Sequence, residues 1–172
     1  MPIYALGEAT PKIHPSAFVH PEAVVIGRVT IGAEATVWPC AVLRGDYGAI
    51  SIGAQTSIQD GAVVHTTDEA DTWIGERCVV GHLAHLEGCT VGDDCLIGSG
   101  SVVLPRAVIE AGALVGAGAV VPNGMVVPAR AMALGVPARI KEDAVADGAF
   151  AENVASYVRN GQRFAAELRR IG

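Results

Sequence analysis

The sequence predicts an all-β fold, a parallel β-solenoid of very short strands followed by a C-terminal α-helix. Three observations predict it. An aliphatic residue recurs at every sixth position, the residue after it is often glycine, and aromatic residues make up only 5% of a chain that is 51% hydrophobic. A helical period of 3.6 cannot give a repeat of six, and a lone strand of period two would not demand glycine at that spacing. Three hexads close a triangular coil of about 18 residues, and stacked coils bury one aliphatic per side. A narrow prism has room for Val and Ile but not for Trp, which explains the low aromatic content.

The hexads run from Ile13 through Val19, Val25, Ile31, Val37 and Leu43. They restart at Ile52, Ile58 and Val64, then at Ile74, Val80 and Leu86. The last series is Val91, Ile97, Val103, Ile109, Val115, Val121, Val127 and Ala133. These twenty hexads make between six and seven coils. Gly32, Gly53, Gly75, Gly81, Gly92, Gly98 and Gly116 follow the aliphatics, and small residues such as Ala62, Ala84 and Ser101 occupy the fifth position. Beyond about residue 138 the rhythm stops. Val154, Tyr157, Val158, Phe164, Ala165, Leu168 and Ile171 recur at helical intervals of about three, four and seven, which predicts an amphipathic helix between about Glu142 and Ile171. Gly161 is expected to bend or break it. Residues 1–138 therefore form the solenoid and residues 139–172 a C-terminal helical segment.

The bulk composition narrows the function. A net charge of −6 argues against a nucleic-acid or anionic-membrane partner. The N-terminus lacks the pattern of a secretory signal, and no apolar run is long enough to cross a bilayer, so a cytoplasmic location is expected. Cys40, Cys78, Cys89 and Cys95 contain no Cys-x-x-Cys pair and read as free, buried thiols. The runs "GSGSV" and "GAGAV" read as corner glycines rather than phosphate loops, because no helix follows them.

The repeat slips in three places, and insertions in a solenoid often mark its functional side. Three residues are added between Leu43 and Ile52, four between Val64 and Ile74, and one is lost between Leu86 and Val91. Counting hexads places Leu43, Val64 and Leu86 on one side of successive coils. The residues after them, Arg44, His65 and Glu87, should form an outward column spaced at roughly 4.8 Å. His82 falls on another side and should stack on Asp60. His85, just before inward Leu86, also points outward. A solvated loop is the simple reading of Asp68, Glu69 and Asp71.

The coil pattern from about Ile13 to Val136 resembles the left-handed parallel β-helix of hexapeptide-repeat proteins. Within it, "RGD" (Arg44–Asp46), "IQDGAVVH" (Ile58–His65), "VGH" (Val80–His82) and "GCTVGD" (Gly88–Asp93) resemble the γ-class carbonic anhydrase family. That resemblance implies a homotrimer with zinc, or iron or cobalt, bound between subunits. It assigns His65 and His82 as metal ligands, and puts Glu87 at the position of the third histidine. It also implies an Arg44–Asp60 interface pair with Asp46 beside it, and Gln59 as the residue orienting a metal-bound water. His85 is the rival third ligand, or a shuttle for protons. Two histidines and a carboxylate form an accepted ligand set, although the anionic Glu87 should weaken the acidity of a bound water.

Three functions follow as expectations. The first is a carbonic-anhydrase-like lyase, hydrating CO2 as its small-molecule substrate, with Arg44, Gln59 and Asp60 assisting. The second is a coenzyme-A-dependent acyltransferase or thioesterase with a histidine base in a seam between subunits. The third is a non-catalytic trimer that carries a metal or a siderophore. The preserved His65, His82 and "RGD" favour the first.

Overall fold

The computed structural model describes Pro2–Gly172. Its strands stack into the three flat faces of a triangular prism. One face carries Val63–His65, His85–Glu87, Val102–Val103 and Val120–Val121, paired onto the first half of the long strand Val42–Ile52. The second half of that strand turns the corner into the next face, which runs from Lys12–Ile13 and the second half of Val24–Ile31 through it to Thr72–Ile74, Thr90–Val91, Val108–Ile109 and Val126–Val127. The third face runs from Phe18–Val19 through Thr36–Val37, Ser57–Ile58, Val79–Val80, Leu96–Ile97 and Leu114–Val115 to Met132–Leu134. All of these pairings are parallel. The exception is Arg139–Lys141, which folds back antiparallel on Met132–Leu134. It covers the edge that the last coil would otherwise expose. The sheet thus continues a few residues past the boundary expected near residue 138.

The hexad aliphatics fill the prism. Val25, Leu43, Ile58, Val64, Leu86, Ile97 and Val121 are among its fully buried side chains, and Cys78 and Cys95 fill small interior positions on neighbouring coils. The glycines of the repeat have a different cause from a tight turn. A Cβ on Gly53 would lie 2.4 Å from the carbonyl carbon of Gly75, and one on Gly98 would lie 2.4 Å from the nitrogen of Ala117. Neither glycine has a positive φ. The left-handed corner positions come two residues later and are often not glycine, as at Gln55, Leu83 and Arg130. Glycine is therefore required where one coil's backbone presses on the next.

Two segments depart from the sequence reading. Ile3–Tyr4 pairs in parallel with Val25–Ile26, so the sheet begins before the first hexad. The helix, α1, spans Ala151–Glu167 and is shorter than expected. Residues 142–150 turn instead, with Asp143 and Gly148 in left-handed backbone conformations that end a helix. Gly161 does not break α1. A Cβ there would meet Thr36 Cγ2 at 2.6 Å, so the glycine lets the helix lie close against the third face. Trp38 anchors it, edge-on to Tyr157 and Phe164 at centroid distances of 5.9 and 5.1 Å.

Cys40 corrects the expectation of four buried thiols. It is exposed at a corner, whereas Cys78, Cys89 and Cys95 are buried. Burial pushes the Cys89 thiol up to about 12. A thiolate-selective reagent should therefore modify Cys40 alone in the native protein and all four cysteines after unfolding in denaturant, as read by mass spectrometry.

Candidate active site

Two histidine clusters lie on different sides of the prism. The first is the outward column on the first face, where the pairing register places Arg44 beside His65 and His65 beside Glu87. His65 is held between two carboxylates. Its Nδ1 lies 2.7 Å from Glu87 Oε1 and its Nε2 lies 2.9 Å from Asp46 Oδ1. Arg44 contacts the other oxygen of Asp46, and His85 Nε2 stands 3.8 Å from Glu87 Oε2. The ring of Tyr47 covers His65 edge-on, and the imidazole side chain is only 12% exposed. An imidazole facing two carboxylates donates to both only as the cation, and then has no lone pair to offer.

Asp46 connects this cluster to stability. Burial alone would push its carboxyl up, but hydrogen bonds from His65, the local backbone and Arg44 outweigh that and hold it below its ordinary value of 3.8. The unfolded value is the higher of the two. The stabilisation is thus complete above about 3.8 and is lost as the pH falls through the folded value. Asp46→Asn should lower the thermal midpoint near neutral pH. The gap from wild type should close as the pH is taken below that range, which a calorimetric pH series would measure.

The second cluster sits at the corner that follows the third face. His82 lies over Asp60 of the preceding coil, with Nδ1 2.9 Å from Asp60 Oδ2. Its side chain is 52% exposed, and the ring's other nitrogen has no protein partner among the described residues. Farther along this corner come Ser99, Gly100, Ala117 and Gly118. A Cβ on Gly100 or Gly118 would meet nothing within 4 Å, so the corner is open there. On the other flank stands α1. Burial, and then the charge of Asp60, push the Tyr157 hydroxyl up.

The remaining expected residues separate between these clusters. Within one chain Arg44 pairs with Asp46 and Asp60 pairs with His82, so Arg44 and Asp60 do not meet. Gln59, next to Asp60 in the chain, is buried, and among the described residues its side chain makes no hydrogen bond to His65 or His82. Glu69 binds Arg106, and Asp71 caps the amide of Ala49, so the inserted loop is tied to its neighbours.

Comparison with known proteins decides the family. The family model described as bacterial transferase hexapeptide (six repeats) matches residues 10–45, 71–105 and 88–123. The chain belongs to this hexapeptide-repeat family. Its fold is the left-handed parallel β-helix with one C-terminal helix. A Bacillus cereus protein provisionally described as an acetyltransferase superposes with a TM-score of 0.94 at 32% identity, covering 96% of this chain and 98% of that one. A hexapeptide transferase family protein from Anaplasma phagocytophilum superposes at 0.89, also with 32% identity, covering 94% and 97%. The carnitine operon protein CaiE of Escherichia coli O157:H7 is 47% identical over 94 residues, covering 55% of this chain and 48% of CaiE. The match thus spans about half the length of that curated relative.

These findings correct two expectations. The Bacillus cereus and Anaplasma phagocytophilum relatives are described as an acetyltransferase and a hexapeptide transferase family protein, which overturns the carbonic-anhydrase lyase reading. The expectation of zinc, iron or cobalt on His65, His82 and Glu87 is overturned as well. Among the described residues no group of three His, Cys, Asp or Glu side chains is arranged to hold a metal ion. The perosamine N-acetyltransferase of Caulobacter crescentus, similar at TM-score 0.57 and 32% identity over 77% of this chain and 57% of that one, was solved with CoA and GDP-perosamine. The physical reason lies at Glu87. The Glu87 carboxylate takes His65 Nδ1 in a hydrogen bond of 2.7 Å. His65 and Glu87 were correctly expected to be neighbours, but they bind each other.

Proposed function

We propose that this protein is a coenzyme-A-dependent acyltransferase in which His82 is the general base and Asp60 its orienting carboxylate. The observation that carries this reading is the His82–Asp60 pair. One ring nitrogen stands 2.9 Å from a carboxylate oxygen, and the other has no protein partner among the described residues in a half-exposed corner. A base must hold one tautomer and present a lone pair, and this histidine can do both. His65 has no free nitrogen and is assigned a structural role.

In the reaction, His82 takes the proton from an amine or hydroxyl of the acceptor. The freed lone pair attacks the thioester carbonyl, the carbon–sulfur bond breaks, and the departing thiolate receives the proton. The products are the acylated acceptor and the free thiol, and the imidazole returns to its starting state. The open corner beside Gly100 and Gly118 gives an extended thioester arm room to approach. The similarity to an N-acetyltransferase solved with CoA and a sugar nucleotide supports this class of donor and acceptor.

The half exposure of His82 and Asp60 also supports a homotrimer, with a neighbouring copy supplying the second wall of the seam. Sedimentation equilibrium should then give three times the chain mass. Acetyl-CoA binding tests the donor directly. At a hundredfold excess over its dissociation constant, a ligand confined to the folded state stabilises by about 2.7 kcal/mol, a shift that thermal denaturation resolves. The absence of any shift at millimolar acetyl-CoA or CoA would contradict the reading.

A further inference from the structure

A cavity lies on the opposite flank of α1 from His82. It is a groove of about 770 Å³ between the N-terminal half of the helix and the corner column that includes Arg77, Gly112 and Arg130. Neither His82 nor Asp60 lines it. Its volume falls in the range that accommodates a small organic ligand.

Its walls combine two chemistries. Ala111, Ala129, Ala149, Val154, Ala155 and Val158 give an apolar lining of small side chains. Three guanidinium groups, on Arg77, Arg130 and Arg159, complete it, and they differ in what they already bind. Arg77 is saturated by Glu76, Asp93 and Asp94. Arg130 makes one long hydrogen bond, 3.3 Å to Asp143, and stands 3.6 Å from Asp147. Arg159 uses one nitrogen, 2.5 Å from Glu152. Among the described residues, the remaining N–H groups of Arg130 and Arg159 have no hydrogen-bond partner. The wall carboxylates, Asp94 and Asp147, already face arginines.

We propose that this groove binds a medium-chain monocarboxylate, with its alkyl chain on the alanine and valine lining and its carboxylate at Arg130 and Arg159. The free donors call for an anion. The surrounding Asp93, Asp94, Asp143, Asp147 and Glu152 limit it to a single charge, since a polyphosphate would meet repulsion at every side. The apolar lining calls for a hydrocarbon body. This site stands independently of the acyl-transfer reading.

Isothermal titration of the 172-residue chain with decanoate tests it, with butanoate as the short-chain control. Decanoate should bind saturably with a dissociation constant of about 1 mM or tighter, and butanoate at least tenfold more weakly. Ala155→Trp, which fills the groove, should weaken decanoate binding at least tenfold while circular dichroism shows the fold intact. Arg130→Gln and Arg159→Gln leave the groove open and should each weaken it severalfold, so the proposal stays testable if the tryptophan variant fails to fold. No saturable binding up to several millimolar would overturn it. So would equal affinity for decanoate and butanoate, or binding that none of these variants changes.

Discussion

Replacing His82 with alanine is expected to lower kcat for acyl transfer by about 10²- to 10⁴-fold, the usual contribution of a positioned base. The imidazole stands at a half-exposed corner and packs against nothing in the core, so the thermal midpoint should hardly move. Asp60→Asn should produce a smaller loss, because His82 itself remains while the nearby charge that would support an imidazolium is removed. Steady-state kinetics with an acetyl-CoA donor, together with a melting curve for each variant, would measure both effects. His65→Gln is the informative contrast. It breaks the contacts with Asp46 and Glu87 and should lower stability, yet leave kcat within about threefold of wild type. A site built on His65 predicts the reverse ordering.

The second large effect concerns the coil spacing. Gly53→Ala should destabilise the fold by about 3 kcal/mol or more, despite adding one methyl group. A Cβ at this position would lie 2.4 Å from both the carbon and oxygen of the Gly75 carbonyl and 2.5 Å from the nitrogen of Glu76. All three are backbone atoms of the neighbouring coil, held by the parallel ladder, so relief requires the coils to part. Each coil is stabilised chiefly by its neighbours, so such a gap weakens both sides of it. Gly100→Ala separates this cause from backbone conformation. Gly100 has a φ of 65° and open space where a Cβ would go. That substitution should cost only about 1 kcal/mol of conformational strain. Chemical denaturation of the two variants would compare them directly.

The repeat made most of the fold legible. A period of six fixes which side chains point inward, and counting hexads is enough to put His65 beside Glu87 and His82 over Asp60. Three features were not legible, each for a physical reason. Ile3–Tyr4 is too short to show a period, and it becomes a strand only because the edge of Val24–Ile31 is available to pair with it. The start of α1 depends on left-handed turns at Asp143 and Gly148, which a charged, glycine-containing stretch does not announce. Gly161 reads as a helix breaker in isolation, but its close approach to Thr36 exists only after the helix docks. The site divided similarly. The hexad count placed the residues, yet the resemblance assigned them a metal, with Glu87 standing at the position of the third histidine. With a carboxylate there, the first-face column closes on itself. The free nitrogen remains at the other corner, on His82.

The most direct measurement of the acyl-transfer account is mass spectrometry of acceptor products formed from isotopically labelled acetyl-CoA. A panel of amine and hydroxyl acceptors, including a sugar nucleotide with a free amine, would be incubated with wild type and with His82→Ala. The account predicts a labelled acetyl group on at least one acceptor, matched by equimolar release of free thiol, and almost none with the variant. Transfer by His82→Ala at the wild-type rate, or no labelled acceptor with either protein, would contradict it.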